Sequence, residues 1–125
     1  MNICIATSNY FPDTGGISTY SQRLSGLLKK FGHTVVVLTV DITAKDEDDD
    51  LIENDQRGVT LVKLKKTFFN YYNYYKKYFK PGGIDAPYWL SIGNAMQEWL
   101  IDNNDQFKID IVQSIGMLEH EEIRC

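Results

Sequence analysis

Two apolar runs on either side of an amphipathic segment constrain this chain more than any other feature. Ile3-Cys-Ile-Ala-Thr7 and Thr34-Val-Val-Val-Leu-Thr-Val40 are continuous rather than alternating, which is typical of strands buried on both faces. Between them, residues 17–31 place apolar side chains three and four positions apart, and Gly32 follows as a helix-terminating glycine. Strand, helix and strand in about forty residues predict one parallel βαβ unit.

The first helix is predicted to span Ile17–Phe31. Its spacing predicts a single buried stripe, formed by Ile17, Tyr20, Leu24, Leu27, Leu28 and Phe31.

The rest of the chain continues the layout of strands alternating with helices. Residues 41–57 predict an acidic loop, and residues 59–65 come close to the alternation of an edge strand. Asp85 and Pro87 predict the start of a second long helix that ends at Asn103-Asn104. Its buried stripe is predicted to contain Trp89, Ile92, Met96, Trp99 and Leu100.

A fourth strand is predicted at Ile109–Gln113. These elements predict an α/β fold with a parallel sheet of order 3-2-1-4 and flanking helices. The topological switch then lies between strands one and four.

Open parallel sheets bind ligands at the carboxyl ends of their strands, beside such a switch. Here the segment 8–20 joins the first strand to the first helix, and Gly15 and Gly16 precede the helix directly. A helix N-terminus approached closely through glycine suits a phosphate. The alternative interpretation is that the two glycines only permit a tight turn.

Composition and charge are ordinary for a globular domain. The 125 residues are 43% hydrophobic and 24% charged. No apolar stretch approaches the roughly 18 residues of a transmembrane helix, and the first residues lack the pattern of a signal peptide. Cys4 and Cys125 are too far apart along the chain to suggest a disulfide framework or a metal site, which fits a cytoplasmic location.

Four segments together resemble the opening of glycosyltransferase family 4. These are Met1–Ser8, Phe11–Tyr20, Leu24–Leu28 and Gly32–Thr39, which give strand, Pro-x-x-Gly-Gly, helix, Gly-His and strand. The resemblance covers the first forty residues, and the remainder matches by layout only. It implies the GT-B architecture, in which two Rossmann-like domains face each other across a cleft. Residues 1–125 would then be a partial N-terminal, acceptor-side domain, with the C-terminal nucleotide-sugar domain absent.

The resemblance also implies an activity. A nucleotide-sugar donor would transfer its sugar to a glycan, a lipid-linked acceptor or a small molecule, with retention of configuration, no metal and no other cofactor. The fragment alone is not expected to be active. The donor diphosphate is expected at Gly15, Gly16, Ile17 and Ser18.

The acceptor side departs from the family pattern. Many members carry His-x-His just after the fourth strand, whereas this chain reads Gln113-Ser114-Ile115. No catalytic residue is therefore assigned. The acceptor-side candidates are Tyr20, Gln113, Ser114, Glu119 and His120.

Two rival functions remain open from the sequence. Asp41, at the end of the second strand, stands where an acid binds a ribose hydroxyl in NAD-dependent oxidoreductases. The glycine pair, however, does not form the Gly-x-Gly-x-x-Gly fingerprint of those domains. The second rival is a non-enzymatic flavodoxin-like or response-type module. Such a module is expected to carry an acidic cluster at its strand ends, and this sequence lacks one.

An aromatic segment follows the third predicted strand. Eight of the twelve residues 68–79 are aromatic, and seven of the 13 basic residues but none of the 17 acidic ones lie between residues 57 and 84. The simplest interpretation is a packed helix or loop. A sharper hypothesis is peripheral contact of residues 63–80 with an anionic membrane at its inner face, or with a lipid-linked acceptor. The acidic remainder of the chain argues against a nucleic-acid partner.

Overall fold

A computed structural model describes residues 1–8, 16–41, 48–55, 57–78 and 86–115, and these residues form an α/β fold. Its strands are β1 (Asn2–Thr7), β2 (Thr34–Val40), β3 (Leu51–Asn54), β4 (Thr60–Leu64) and β5 (Ile111–Ile115). Its helices are α1 (Gly16–Lys30), α2 (Lys66–Tyr75) and α3 (Ala86–Phe107). The predicted α/β class is confirmed.

The sheet is mixed, with the strand order β3-β4-β2-β1-β5. The pairs β1–β2, β1–β5 and β2–β4 are parallel, and these are the three neighbour relations that the order 3-2-1-4 implied. The prediction is nevertheless wrong for the sheet as a whole, because β3 adds an antiparallel edge beside β4. Residues 60–64 therefore form an inner strand, and part of the predicted acidic loop is a strand.

Asp50 explains why this edge strand is held in place. Its carboxylate accepts hydrogen bonds from the main-chain N–H groups of Lys65, at 2.6 Å, and Thr67, at 3.2 Å, and from the Thr67 hydroxyl. No side chain at Lys65 caps α2, so Asp50 satisfies amide groups at the start of that helix from the neighbouring strand. Asp50 is the last residue of an acidic run, residues 46–50, within the predicted loop, and it has a structural role.

Two apolar clusters lie on opposite faces of the sheet. On one face α2 and α3 cover alternate residues of β1, β2 and β4, with Phe68, Ile92 and Met96 fully buried. On the other face α1 covers the intervening residues, and its Leu24 and Leu28 pack against Ile5 and Val37. The helices thus flank the sheet on both sides.

The buried face of α1 differs from the predicted stripe. Leu24 and Leu28 contact the sheet, but Tyr20, Leu27 and Phe31 are 56%, 51% and 70% exposed. Ser21 and Ser25 are buried instead. Small side chains at these positions let the helix approach the sheet closely, which a count of apolar residues does not reveal.

The end of α1 agrees with the sequence. Gly32 has φ of +91°, its N–H donates to the Lys29 carbonyl, and the His33 N–H donates to the Leu28 carbonyl. This is the Schellman arrangement, in which a residue in the left-handed region ends a helix. His33 therefore follows the helix terminus, where its Nδ1 lies 3.2 Å from the N-terminal amine.

The boundary between α3 and β5 lies later than predicted. The helix continues past Asn103-Asn104 to Phe107, and the strand begins at Ile111 instead of Ile109. Lys108 adopts φ of +50°, and the Asn104 side chain accepts a hydrogen bond from the Ile109 N–H at 3.0 Å. Asn104 therefore does not end the helix at its own position. Its side chain instead accepts the Ile109 N–H just after the helix ends at Phe107. The predicted buried stripe is confirmed, because Ile92, Met96, Trp99 and Leu100 are buried and Trp89 packs beside them.

Candidate functional site

The parallel strands end together at one edge of the sheet. β1, β2, β4 and β5 run in the same direction, so Ser8, Asp41, Lys65 and Ile115 mark their carboxyl ends. The helix that follows β1 covers one face of the sheet, and the helix that precedes β5 covers the other. The chain therefore leaves β1 and enters β5 on opposite faces. This defines a switch point between these two strands, where ligands of open sheets bind.

Buried hydroxyl groups gather beneath the N-terminal half of α1, next to this edge. Ser21 donates to the Thr7 hydroxyl at 3.5 Å, and both side chains are fully buried. Thr39 follows Leu38, the partner of Ala6, so Thr39 and Thr7 are neighbours on the α1 face. Thr39 is only 3% exposed, and its hydroxyl group has no hydrogen-bond partner within the described part of the chain. Such a group is uncommon, and it makes the interface between α1 and the carboxyl ends of β1 and β2 polar.

The expected diphosphate-binding residues lie at the beginning of α1. Gly16 is the first residue of the helix, and Ile17 and Ser18 follow in its first turn. Gly15 and the side chains of residues 16–18 lie outside the described residues. The main-chain N–H groups of a first helical turn have no partners within the helix itself. Their position after β1 is the geometry on which the phosphate hypothesis depends.

The acceptor-side candidates divide between the two faces of the sheet. Gln113 is exposed on the α1 face and its amide donates to the Ser114 carbonyl at 3.2 Å. Ser114 is half-buried on the α3 face, paired in register with Ala6. Tyr20 is exposed on α1. Gln113 and Tyr20 thus lie on the same side of the sheet, whereas Ser114 lies on the other, and Glu119 and His120 lie outside the described residues.

A charged cluster that the sequence analysis missed fixes α1 against the sheet. The Arg57 guanidinium donates to the Gln22 carbonyl at 2.6 Å and to the Ser25 hydroxyl at 3.3 Å, and it forms an ion pair with Asp55 at 2.8 Å. Burial raises the pKa of the Asp55 carboxyl, but hydrogen bonds from Arg57 and Val59 and the charge of Arg57 outweigh burial and place that pKa below its usual value. The only sequence signal for this cluster was Gly58, a glycine that is typical of a turn. Gly58 has φ of +83° and ends the turn that contains Asp55 and Arg57.

The aromatic segment forms helix α2 and packs along α3. Phe68 is buried, while Tyr74 and Tyr78 are 49% and 70% exposed. The Tyr71 hydroxyl donates to Glu98 at 2.9 Å, and burial together with this carboxylate raises the pKa of Tyr71. The Lys76 Nζ atom lies 5.6 Å from the centroid of the Tyr72 ring. The interpretation of this segment as a packed helix is thus confirmed for the residues within α2. Membrane contact through residues 63–80 stays a prediction.

Within the described residues, no three His, Cys, Asp or Glu side chains are grouped so that they could hold a metal ion. The helices of that part of the chain include none that is both long and apolar enough to cross a membrane. Comparison with protein-family models, curated proteins and solved structures finds no match for this chain. The resemblance to glycosyltransferase family 4 therefore stays a prediction from the sequence.

Proposed function

We propose that this chain is the acceptor-side, Rossmann-like domain of a GT-B glycosyltransferase and works together with a second domain that binds most of the nucleotide sugar. The reaction transfers a sugar from a nucleotide-sugar donor to an acceptor, with retention and without a metal. The cytoplasm is the expected location. These statements rest on the sequence resemblance and on the geometry of the carboxyl edge.

One observation carries the proposal. Helix α1 begins at Gly16, shortly after the carboxyl end of β1 in the chain. In the sheet, β1 lies between β2 and β5. A ligand at this switch point meets the N-terminal turn of α1, where partial positive charge and main-chain N–H groups favour an anion. Absence of a side chain at Gly16 lets that anion approach the main chain.

The chemistry needs such a group because the leaving group is a nucleoside diphosphate. Negative charge develops on the diphosphate oxygen as the bond to the sugar breaks. Donors that are already oriented toward that oxygen stabilise the transition state without reorganising. The first turn of α1 at Gly16, Ile17 and Ser18 would supply such donors from this domain.

The acceptor would occupy the α1 side of β5. Tyr20 and Gln113 are exposed in this layer and offer a hydroxyl group and an amide group. Both can pair with hydroxyl groups of an acceptor. Ser114 would contribute only from the other face of the sheet.

An NAD-binding domain is the alternative function. Asp41 follows β2 at the carboxyl edge, is half-buried, and donates its own N–H to the Leu64 carbonyl at 3.0 Å. Its position at the end of β2 is the observation that favours a ribose contact.

Binding of nucleotides separates the two functions. The protein that carries this chain together with a following domain is titrated by calorimetry with UDP, GDP and NAD⁺. Binding of UDP or GDP that weakens in Gly16→Val, and does not weaken in Asp41→Asn, supports glycosyl transfer. Binding of NAD⁺ that depends on Asp41 overturns the proposal.

A further inference from the structure

Two hollows are lined by side chains of the region where α2 packs against α3. The first has a volume of about 350 Å³ and is lined by Tyr74, Tyr75, Tyr78 and Leu90. The second has a volume of about 260 Å³ and is lined by Tyr71, Asn94, Gln97, Glu98, Ile101 and Asp102. We call the two together the tyrosine groove.

The two hollows are neighbours, because lining residues of one contact lining residues of the other. Tyr75 of the first hollow stacks on Tyr71 of the second, with centroids 6.3 Å apart, and accepts a hydrogen bond from the Asn94 amide at 3.0 Å. The lining residues of α3 extend from Leu90 to Asp102, a rise of about 18 Å along a helix. The groove is therefore long and shallow, a shape that suits an extended ligand.

The tyrosine rings are held in defined planes. Tyr74 and Tyr75 stack at 5.4 Å with an angle of only 6° between them, and Tyr71 lies 18° from Tyr75. The Tyr71 hydroxyl is fixed by Glu98. Tyr74 and Tyr78 nevertheless remain exposed. Rings fixed in this way bind a flat apolar surface with little loss of side-chain entropy.

The groove walls alternate apolar and polar groups. The exposed rings of Tyr74 and Tyr78 and the side chain of Leu90 offer apolar contact, while Glu98 and Asp102 offer carboxylate oxygens. Pyranose rings present the same combination, because they have apolar C–H faces and hydroxyl groups around the rim. The two carboxylates accept hydrogen bonds from hydroxyl groups and repel phosphate groups.

We propose that the tyrosine groove binds a neutral oligosaccharide. The site is formed by side chains of α2, Tyr78 and α3, and it uses none of the residues proposed for the transfer reaction. The carboxylates of Glu98 and Asp102 at the second hollow oppose an anionic surface, whereas Lys76 and Lys77 stand in the chain between lining residues of the first. A neutral ligand is the one that satisfies both hollows without opposing either charge.

The test is a binding titration of the chain with four neutral hexasaccharides, derived from cellulose, amylose, xylan and chitin, followed by tyrosine and tryptophan fluorescence and by calorimetry. The variant Tyr74→Ala/Tyr78→Ala removes the two exposed rings, and Tyr78→Phe keeps the ring. Phe31→Ala is the matched control, since Phe31 is as exposed as Tyr78, at 70%, but lies on α1. Thermal melting followed by circular dichroism establishes that each variant folds.

Binding of at least one hexasaccharide is expected, weakened about tenfold or more in the double variant and within about twofold of the parent in Tyr78→Phe and Phe31→Ala. Failure of all four sugars to bind at millimolar concentration overturns the proposal. So does equal binding by the double variant. Flotation of the chain with phosphatidylglycerol vesicles, lost in the double variant and accompanied by no sugar binding, also overturns it and assigns the groove to a membrane.

Discussion

At the scale of single residues, Asp50 connects two elements that are distant in sequence. Its carboxylate accepts hydrogen bonds from two main-chain N–H groups at the start of α2 and from the Thr67 hydroxyl. Asp50→Ala should therefore lower the free energy of unfolding by about 1 to 2 kcal/mol, as for the loss of a helix cap. Urea unfolding measures this change.

Asp49→Ala is the control for that measurement. Asp49 is exposed and precedes Asp50 in the same acidic run. Its replacement should change the free energy of unfolding by less than about 0.5 kcal/mol. Equal effects of the two substitutions would show that Asp50 acts only through the charge of the run.

Gly26 and Arg57 form a second pair that can be tested. A Cβ atom at Gly26 would lie 2.6 Å from the Arg57 Nη1 atom, so Gly26→Ala must displace the guanidinium group from the Gln22 carbonyl. Alanine also favours a helix interior by about 1 kcal/mol relative to glycine. Gly26→Ala alone should therefore be close to neutral, because the two effects offset each other.

A double-mutant cycle isolates the contact between Gly26 and Arg57. In the Arg57→Ala background, Gly26→Ala should stabilise the protein by about 1 kcal/mol, since only the helix preference remains. Calorimetric melting of the four proteins gives the coupling. The contact with Arg57 is refuted if Gly26→Ala has the same effect in both backgrounds.

At the scale of elements, β5 is one of the two edges of the sheet, and it is the longer one. Among the described strands it pairs only with β1, and Ile111 is 43% exposed. A hollow of about 300 Å³ lies beside it, lined in part by Leu100, Ile101 and Val112. Unpaired apolar edges promote association. The purified chain should therefore self-associate through β5, as sedimentation velocity would show.

Ile111→Lys should reduce this association, because a lysine on an edge strand opposes pairing with another chain. Ile52→Lys on β3 is the matched control at the opposite edge, where Ile52 is 53% exposed. β3 is only four residues long and carries Glu53, so its substitution should change little. A monodisperse parent chain, or equal effects of the two lysines, would contradict association through β5.

Elements with a strong internal pattern were predictable and weakly patterned ones were not. β1, α1 and β2 agree with the sequence to within a residue or two because each is long and continuously apolar or periodic. β3 was missed because Leu-Ile-Glu-Asn has no alternation and is exposed throughout. The face of α1 was mistaken because apolar spacing cannot reveal that Ser21 and Ser25 face the sheet.

The position of the switch point was predictable from the sequence, whereas a site at that point stays a prediction. Parallel pairing of β1 with β2 and β5 puts the switch point between the two strands where the predicted order had it. Gly15, Glu119 and His120 lie outside the described residues, so their roles stay predictions. The contribution of Thr39 was not predictable, because a threonine in an apolar strand does not reveal whether its hydroxyl has a partner.

At the scale of the whole molecule, the proposed function depends on how the helices are arranged on the two faces of the sheet. α1 covers one face of the sheet, α3 covers the other, and β1 lies beside β5 where the two connections diverge. The proposed glycosyl transfer predicts that the N-terminal turn of α1 contacts the donor diphosphate at this switch point and that Gly16 controls the approach.

The most direct measurement is the rate of UDP or GDP release from a panel of nucleotide sugars, using a protein that contains this chain and the proposed second domain. Gly16→Val should lower that rate at least tenfold, which corresponds to about 1.4 kcal/mol of transition-state stabilisation. Gly32→Asn, at the other end of α1 and with open space around the Cβ position, should stay within about threefold of the parent. A rate for Gly16→Val that also stays within about threefold, with both variants folded, would contradict the account.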